Sequence, residues 1–497
     1  MKDLIKKIHP WFYPAGLLLA ALLTYGINYG MPNSLFWDEN YHVASAQKHI
    51  DRVMYMEPHP PLGKMLMALG ETLVSFNKDL DKSAFNRTDY ITGNDVPEGF
   101  TFWGFRLPST FLMAFSVLFL YGILHRLIRH RWLATVFCLP LIFDNAMVVH
   151  SRSAMLEGIQ FFFILGALYY FVRVITGKDK ILLRHYAILS VWIGLATAVK
   201  VNGLVLLLLM PMLYFVDQWQ NIKEWRFVEL IKRLLTSVPS GTLPAAAVFF
   251  GIFYIHIGMG TEVINNRTYK ASPEYLNLIR QGETFSLKAF TTGMKDHWRY
   301  MSEYADGVPR LDMCKSGENG SHVMGWPLGT KTISYRWGKD TYADGVVKTN
   351  YTYLVSNPIV WFSALAGIVL SCGLIISRFV YGQEPKDTKL FYWICAFTSL
   401  YLAYMIAMLQ IERVMYLYHY LVPLLFAMIN LALVFNYIYR DEILANNKHT
   451  LINLGGFALL VIGVFAFFSP LTYAIPITAE QFELRDWFAF WRLEVVR

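Results

Sequence analysis

Residues 11–30 read WFYPAGLLLAALLTYGINYG, and a short polar turn later comes Phe36-Trp37-Asp38-Glu39-Asn40-Tyr41-His42. Twenty residues without a formal charge match the length that crosses a bilayer's hydrocarbon core as a helix. Two adjacent carboxylates then stand where the chain leaves the membrane. As a local signal they start a helix over 39–52, whose dipole favours acid in its first turn. As a chemical signal they place a base at the lipid–water boundary, where ionisable groups are costly and usually functional.

The same apolar pattern recurs along the 497 residues. Eleven candidate spans lie near 11–30, 105–126, 132–149, 154–173, 185–200, 203–217, 237–258, 358–378, 390–410, 419–439 and 451–469. Apolar residues make up 55% of the chain and charged residues 16%, which excludes disorder, collagen and coiled coil. The expected fold is an all-α polytopic membrane protein forming a single domain, 1–497. Its net charge of +8 belongs to loops rather than to a nucleic-acid surface. Nineteen Lys and Arg, beginning with Lys2, Lys6 and Lys7, fall in one set of short loops, against Arg152, Lys200 and Arg413 in the other. That bias puts the N-terminus in the cytoplasm and the C-terminus outside. Two long segments, 31–104 and 259–357, then face outward. The tail 470–497, with Trp487, Phe488, Phe490 and Trp491, is expected to lie at the outer interface. The first block reads as a retained span rather than a signal peptide, and the four cysteines form no disulfide framework.

Candidate chemistry collects on the outward side. Glu57-Pro58-His59-Pro60-Pro61-Leu62-Gly63-Lys64 fixes an extended turn, with Pro61 at a first helical position and an amphipathic helix over Leu62–Phe76. Arg106, Arg152, Lys200 and Arg413, the last followed by His419, are cations at outer span ends. One alone is explained by snorkelling. The set runs against the orientation bias and suits an anionic lipid phosphate. Asp144-Asn145 and Glu157 flank the Arg152 turn, and Glu157 suits Arg152 or another cation as a partner. His297, His322 and Trp326 are candidates for lining a substrate path, or parts of a folded cap. Four Asn-x-Ser/Thr triplets begin at Asn86, Asn266, Asn319 and Asn350. Nucleotide loops, HExxH and CxxC are absent, and no metal is assigned.

Taken together, these stretches resemble the protein O-mannosyltransferase family. The likeness rests on Asp38-Glu39, on His59-Pro60-Pro61-Leu62-Gly63-Lys64 with Gly70-Glu71, and on Gly104-Phe105-Arg106-Leu107-Pro108-Ser109. It continues through Asp144-Asn145, Ser151-Arg152, Leu156-Glu157, Ala198-Val199-Lys200, Asn357-Pro358 with Trp361, and Tyr418-His419-Tyr420-Leu421-Val422-Pro423. Departures are Glu157 where the family usually has Asp, Val201 and Asn202 after Lys200, and an altered stretch at Ser321–Leu328. The large segment is too short for a MIR domain, so the chain looks like the bacterial branch. The resemblance implies a GT-C fold and a polyprenyl-phosphate mannose donor. It implies Ser/Thr hydroxyls of exported proteins as acceptors, transfer on the outer face of the plasma membrane, and coupling to translocation machinery as an option. No cofactor is required. Asp38 would be the base and Glu39 an orienting group. His59 would order its loop, and the cations would hold the leaving phosphate. Alternatives are a GT-C enzyme with a lipid or polysaccharide acceptor, and a transporter or flippase.

Overall fold

The protein, a computed structural model, is described over residues 9–315, 317–342, 345–445 and 447–495. Lys2, Lys6 and Lys7 lie outside the described residues. The main helices are α1 (Phe12–Gly26), α2 (Glu39–Ile50), α3 (Leu62–Val74), α4 (Trp103–Ile128), α5 (Leu156–Ile175), α6 (Leu183–Val199), α7 (Phe227–Met259), α8 (Pro273–Arg280), α9 (Leu287–Gly307), α10 (Pro358–Phe379), α11 (Thr388–Leu409), α12 (Leu421–Leu444) and α13 (Lys448–Tyr473). An antiparallel hairpin, β1 (Ile333–Thr341) and β2 (Val347–Leu354), is the only sheet among the described residues.

Among the described residues seven helices are long and apolar enough to cross a membrane, or eight if the pair Arg131–Ile142 and Asn145–Ser151, bent by 61°, is one span. The other three apolar blocks form helices Phe12–Gly26, Leu183–Val199 and Val201–Asp217, of at most 17 residues. At 1.5 Å per residue the first two reach roughly 22–26 Å, short of a 30 Å core. The last begins as the 3-10 turn Val201–Leu208.

The chain forms two compact units. The first comprises Met1–Ile27, Ala114–His150 and Arg310–Arg497, and the second comprises Asn28–Met113 and Ser151–Pro309. The large segment 259–357 is therefore divided at Pro309, not folded as one cap. In the first unit, Tyr351 and Tyr353 of β2 pack with Phe468, Leu471, Phe482 and Trp491. Trp491 is fully buried, while Trp487 and Phe490 stay exposed. The tail thus contributes core as well as surface, because its turn folds back onto α13. Asp144 accepts hydrogen bonds from the Met147 and Asn357 amides and from Trp361 Nε1 at 2.9–3.1 Å. That carboxylate explains Asp144 and the Asn357-Pro358…Trp361 pattern together, as an anchor for the start of α10.

In the second unit a core of Val43, Ala46, Met67, Phe102, Phe105, Ala154, Leu156 and Val199 joins α2, α3 and α4 to the start of α5 and the end of α6. Helix α3 crosses α4 at two glycines. A Cβ on Gly70 would lie 2.5 Å from Gly104 O, and one on Gly104 would lie 2.5 Å from Glu71 Cα. Pro108 contributes to the same contact and donates no amide to Gly104 O. Helix α3 ends at Val74, and Pro61 is its N-cap rather than its first residue. It turns Gly63, Lys64, Met67 and Glu71 inward while Leu69, Leu73 and Phe76 remain exposed. Its charged side chains Lys64 and Glu71 are inside with Met67, and its exposed face is largely apolar.

Candidate functional site

Helix α2 starts at Glu39 with Asp38 at its N-cap, and the Asp38 side chain makes no capping hydrogen bond. The helix-start reading therefore holds for position but not for the Asp38 carboxylate, which is half-buried rather than folded onto the helix end. Trp37, just before it, has φ +52°. A bulky residue in that region costs about 1–3 kcal/mol and persists only where the surroundings fix it.

What fixes it is Glu39. Its side chain is fully buried. Arg106 Nε and Nη2 donate to its two oxygens at 2.7 and 2.8 Å. The Ala154 amide donates at 2.8 Å and the Phe36 amide at 3.3 Å. Arg106 gives its other N–H groups to the carbonyls of Gly30, Pro32 and Ser34 at 2.8–2.9 Å. All five guanidinium donors are spent, and the rings of Phe36 and Phe102 face the group. This corrects two expectations. Arg106 has no donor left for a phosphate, and Glu39 has no surface for an acceptor. They form a lock holding 30–39 against α4 and Ala154.

Lys64 lies near Asp38, and around Lys64 stand residues that the sequence scatters. Lys200 Nζ lies 2.5 Å from Glu157 Oε1, both largely buried. Glu157 therefore pairs with Lys200. Gln160 Nε2 donates to the carbonyls of Ala196 and Lys200 and to Asn202 Oδ1, fastening the end of α6 where Lys200 sits. Lys64, fully buried, lies 2.6 Å from Glu57, and Glu57 also accepts from Ser45. A Cβ on Gly63 would strike Leu156 and touch Val199. The small Gly63 brings the Pro-Pro turn close to the segments that carry Glu157 and Lys200. His42 Nδ1 bonds Ala154 O at 2.8 Å. His59 is pushed well below the usual histidine range by burial, then by the Lys64 and Lys200 ammonium groups. Lys64 itself is lowered by burial, partly offset by Glu57. Arg152, nearly buried, donates to Asn28 O at 2.8 Å.

The second unit thus gathers Asp38, His42, Glu57, His59, Lys64, Glu157 and Lys200 into one charged cluster next to the Glu39–Arg106 lock. Lys64 stood in a quoted motif, but its role, and those of Glu57, His42 and Gln160, were not read from sequence. The i, i+4 spacing of Asp38 and His42 was the available signal for one of them.

The remaining candidates are placed elsewhere. His297 is buried in the second unit against His256. In the first unit Trp326 is fully buried, donates to Ser321 Oγ and stacks on His419. It lines no path. His322 is exposed and caps the 3-10 turn that contains Trp326. Arg413 is half-buried and its backbone bridges Arg310. Among the described residues no group of three or more His, Cys, Asp or Glu is arranged to hold a metal ion.

The multi-span helical bundle, with its charged cluster at the ends of short helices, is that of a polytopic membrane protein of the GT-C fold. Residues 16–259 match the family described as dolichyl-phosphate-mannose-protein mannosyltransferase, and 301–491 match the C-terminal four TMM region of protein-O-mannosyltransferase. The chain belongs to the protein O-mannosyltransferase family. It is 28% identical over 255 residues to Protein O-mannosyl-transferase 1 of Danio rerio, covering 48% of this chain and 34% of the relative. It is 25% identical over 234 residues to dolichyl-phosphate-mannose--protein mannosyltransferase 5 of Candida albicans, covering 46% and 31%. The chain therefore aligns with about a third of each curated relative's length. The S. cerevisiae protein O-mannosyltransferase Pmt1-Pmt2 complex bound to the sugar donor superposes with a TM-score of 0.82 at 15% identity, over 98% of this chain and 93% of that one.

Proposed function

We propose that the protein transfers mannose from a polyprenyl-phosphate mannose to Ser or Thr hydroxyls of exported proteins, on the outer face of the plasma membrane and with inversion at the anomeric carbon. The observation that carries this reading is Asp38, a half-buried carboxylate unused as a cap, next to the Glu39–Arg106 lock and near the buried Lys64 ammonium. Family membership and the relatives' names support the donor and acceptor classes.

Asp38 takes the acceptor proton as the hydroxyl oxygen bonds to the anomeric carbon and the sugar–phosphate bond breaks. The phosphate leaves as an anion and needs no acid. Lys200 and Arg152 stabilise its growing charge, and Glu157 holds Lys200 in place. His59 orders the loop before α3. The oxocarbenium-like transition state gains from a carboxylate nearby.

The test is transfer of labelled mannose from polyprenyl-phosphate mannose to a Ser/Thr peptide by the purified protein, wild type against Asp38→Asn. Loss of a general base predicts a fall of roughly 10²–10⁴ in kcat with an unchanged melting temperature. Full turnover in Asp38→Asn would remove Asp38 from the chemistry, and no labelled peptide with wild type would overturn the reading.

A further inference from the structure

We propose that His49, His256 and His297 form an acid-labile clamp that fastens the outward helix α9 to α2 and α7. The three residues come from separate segments of the second unit, and each is nearly fully buried. His256 Nδ1 lies 3.3 Å from His49 Nε2, and His256 Nε2 lies 3.0 Å from His297 Nε2. His297 Nδ1 lies 2.8 Å from Gly293 O.

The proton positions follow from chemistry. A carbonyl only accepts, so His297 Nδ1 carries a hydrogen and its Nε2 is bare. His256 Nε2 must then donate, which leaves His256 Nδ1 to accept from His49 Nε2–H. A single arrangement satisfies the chain, with every ring neutral. His256 uses opposite ring nitrogens for its two neighbours. The three rings therefore do not converge on one point as metal ligands do. A small cavity of about 10 Å³ lies beside them, lined also by Tyr55 and Tyr275. The buried hydroxyls of both tyrosines lack a partner among the described residues.

The surroundings disfavour a proton. Lys48 comes from α2, where it is held by Asp89 and Tyr269, and Lys64 comes from α3. Glu57 lies in the intervening loop, committed to Lys64 and Ser45. On α9, Asp296 bonds Ser272 and Arg299. On α7, Tyr254 donates to Phe285 O. Burial, then Lys64, pushes His49 down to about 3, and burial lowers His297.

A second proton on any ring turns its accepting nitrogen into a donor and sets two N–H groups head to head. A base whose folded pKa is depressed contributes stability that is fully present above its unfolded value, near 6.5. That stability is lost as pH falls from 6.5 toward about 3. With His49 kept neutral to about 3, acid favours the opened form by tenfold per pH unit in that window, about 30-fold by pH 5.0.

Hydrogen exchange of the purified full chain in detergent, corrected for intrinsic rates, tests the clamp at pH 7.5 and 5.0. Peptides within 287–307 are expected to open about 30-fold more readily at pH 5.0, by the tenfold-per-unit rule, with no change in 421–444. His256→Leu is expected to open readily at both pH values. A wild-type ratio near one, or the full pH step persisting in His256→Leu, overturns the proposal. If that variant does not fold, exchange of the imidazole C2 hydrogens in wild type decides. A midpoint well below 6.5 at His49 supports the clamp, and an ordinary midpoint near 6.5 overturns it.

Discussion

Replacing Glu39 by Gln changes one atom and tests the lock most directly. Both carboxylate oxygens accept two hydrogen bonds. Oε1 takes Arg106 Nε and the Ala154 amide, and Oε2 takes Arg106 Nη2 and the Phe36 amide. Whichever oxygen becomes NH₂, a donor then faces two donors, and the buried guanidinium loses its counter-charge. Breaking a buried pair from one side costs about 3–5 kcal/mol. For a cooperative unit of a few hundred residues, at roughly 2–4 °C per kcal/mol, the melting temperature should fall on the order of 10 °C. Replacing both partners, Glu39→Gln with Arg106→Met, removes the stranded charge and should recover part of the loss. Thermal unfolding of the two single variants and the double variant in the same detergent, with mannosyl transfer below each midpoint, reads both quantities. An unchanged melting temperature in Glu39→Gln, or strict additivity in the double variant, would refute the lock. Lost transfer at full stability would make Glu39 a chemical participant instead.

Other consequences follow from the same geometry. Gly104→Ala should cost about 1–3 kcal/mol, because its new methyl meets the α3 backbone at Glu71 and helices cannot yield by an ångström without repacking; chemical unfolding checks this, and a neutral result would show that the crossing is loose. Lys64→Met should destabilise by about 3 kcal/mol by leaving Glu57 buried without its cation, and Glu57→Gln in the same chain should restore part of it; equal stability of all three would remove the pair. Lys200→Gln should raise the donor KM or lower kcat at least tenfold, by the weight of one charge contact to a phosphate, whereas Arg106→Lys should act mainly through stability; indistinguishable kinetics for Lys200→Gln and wild type would take Lys200 out of the site. Asp144→Asn should lower the melting temperature without altering transfer below it, since its partners are Met147, Asn357 and Trp361.

Much of this was legible locally. Apolar blocks marked the helices because a chain in lipid must satisfy its backbone within each segment, so span content is written in runs of about 20 residues. The Asp38-Glu39 pair and the Pro-Pro-Leu-Gly-Lys turn were visible for the same reason: helix starts and proline turns are short-range features. The failures are all long-range. Arg106 looked like a phosphate ligand because a sequence shows its charge but not the carboxylate that meets it from 67 residues away. Trp326 and Trp491 looked like lining or interfacial aromatics, and the packing made them core.

The sequence by itself determined a multi-span helical membrane protein of the O-mannosyltransferase family and the stretch that carries its paired carboxylates. Only the tertiary structure decided what each buried charge does. It separated Glu39 from Asp38, one locked and one half-buried beyond the helix start, paired Lys200 with Glu157, and brought His49, His256 and His297 into a single hydrogen-bonded row. The physical reason is that helix formation and membrane partition are set by neighbours in the chain. The worth of a buried ion or imidazole is set by neighbours in space, where the low dielectric makes every partner count.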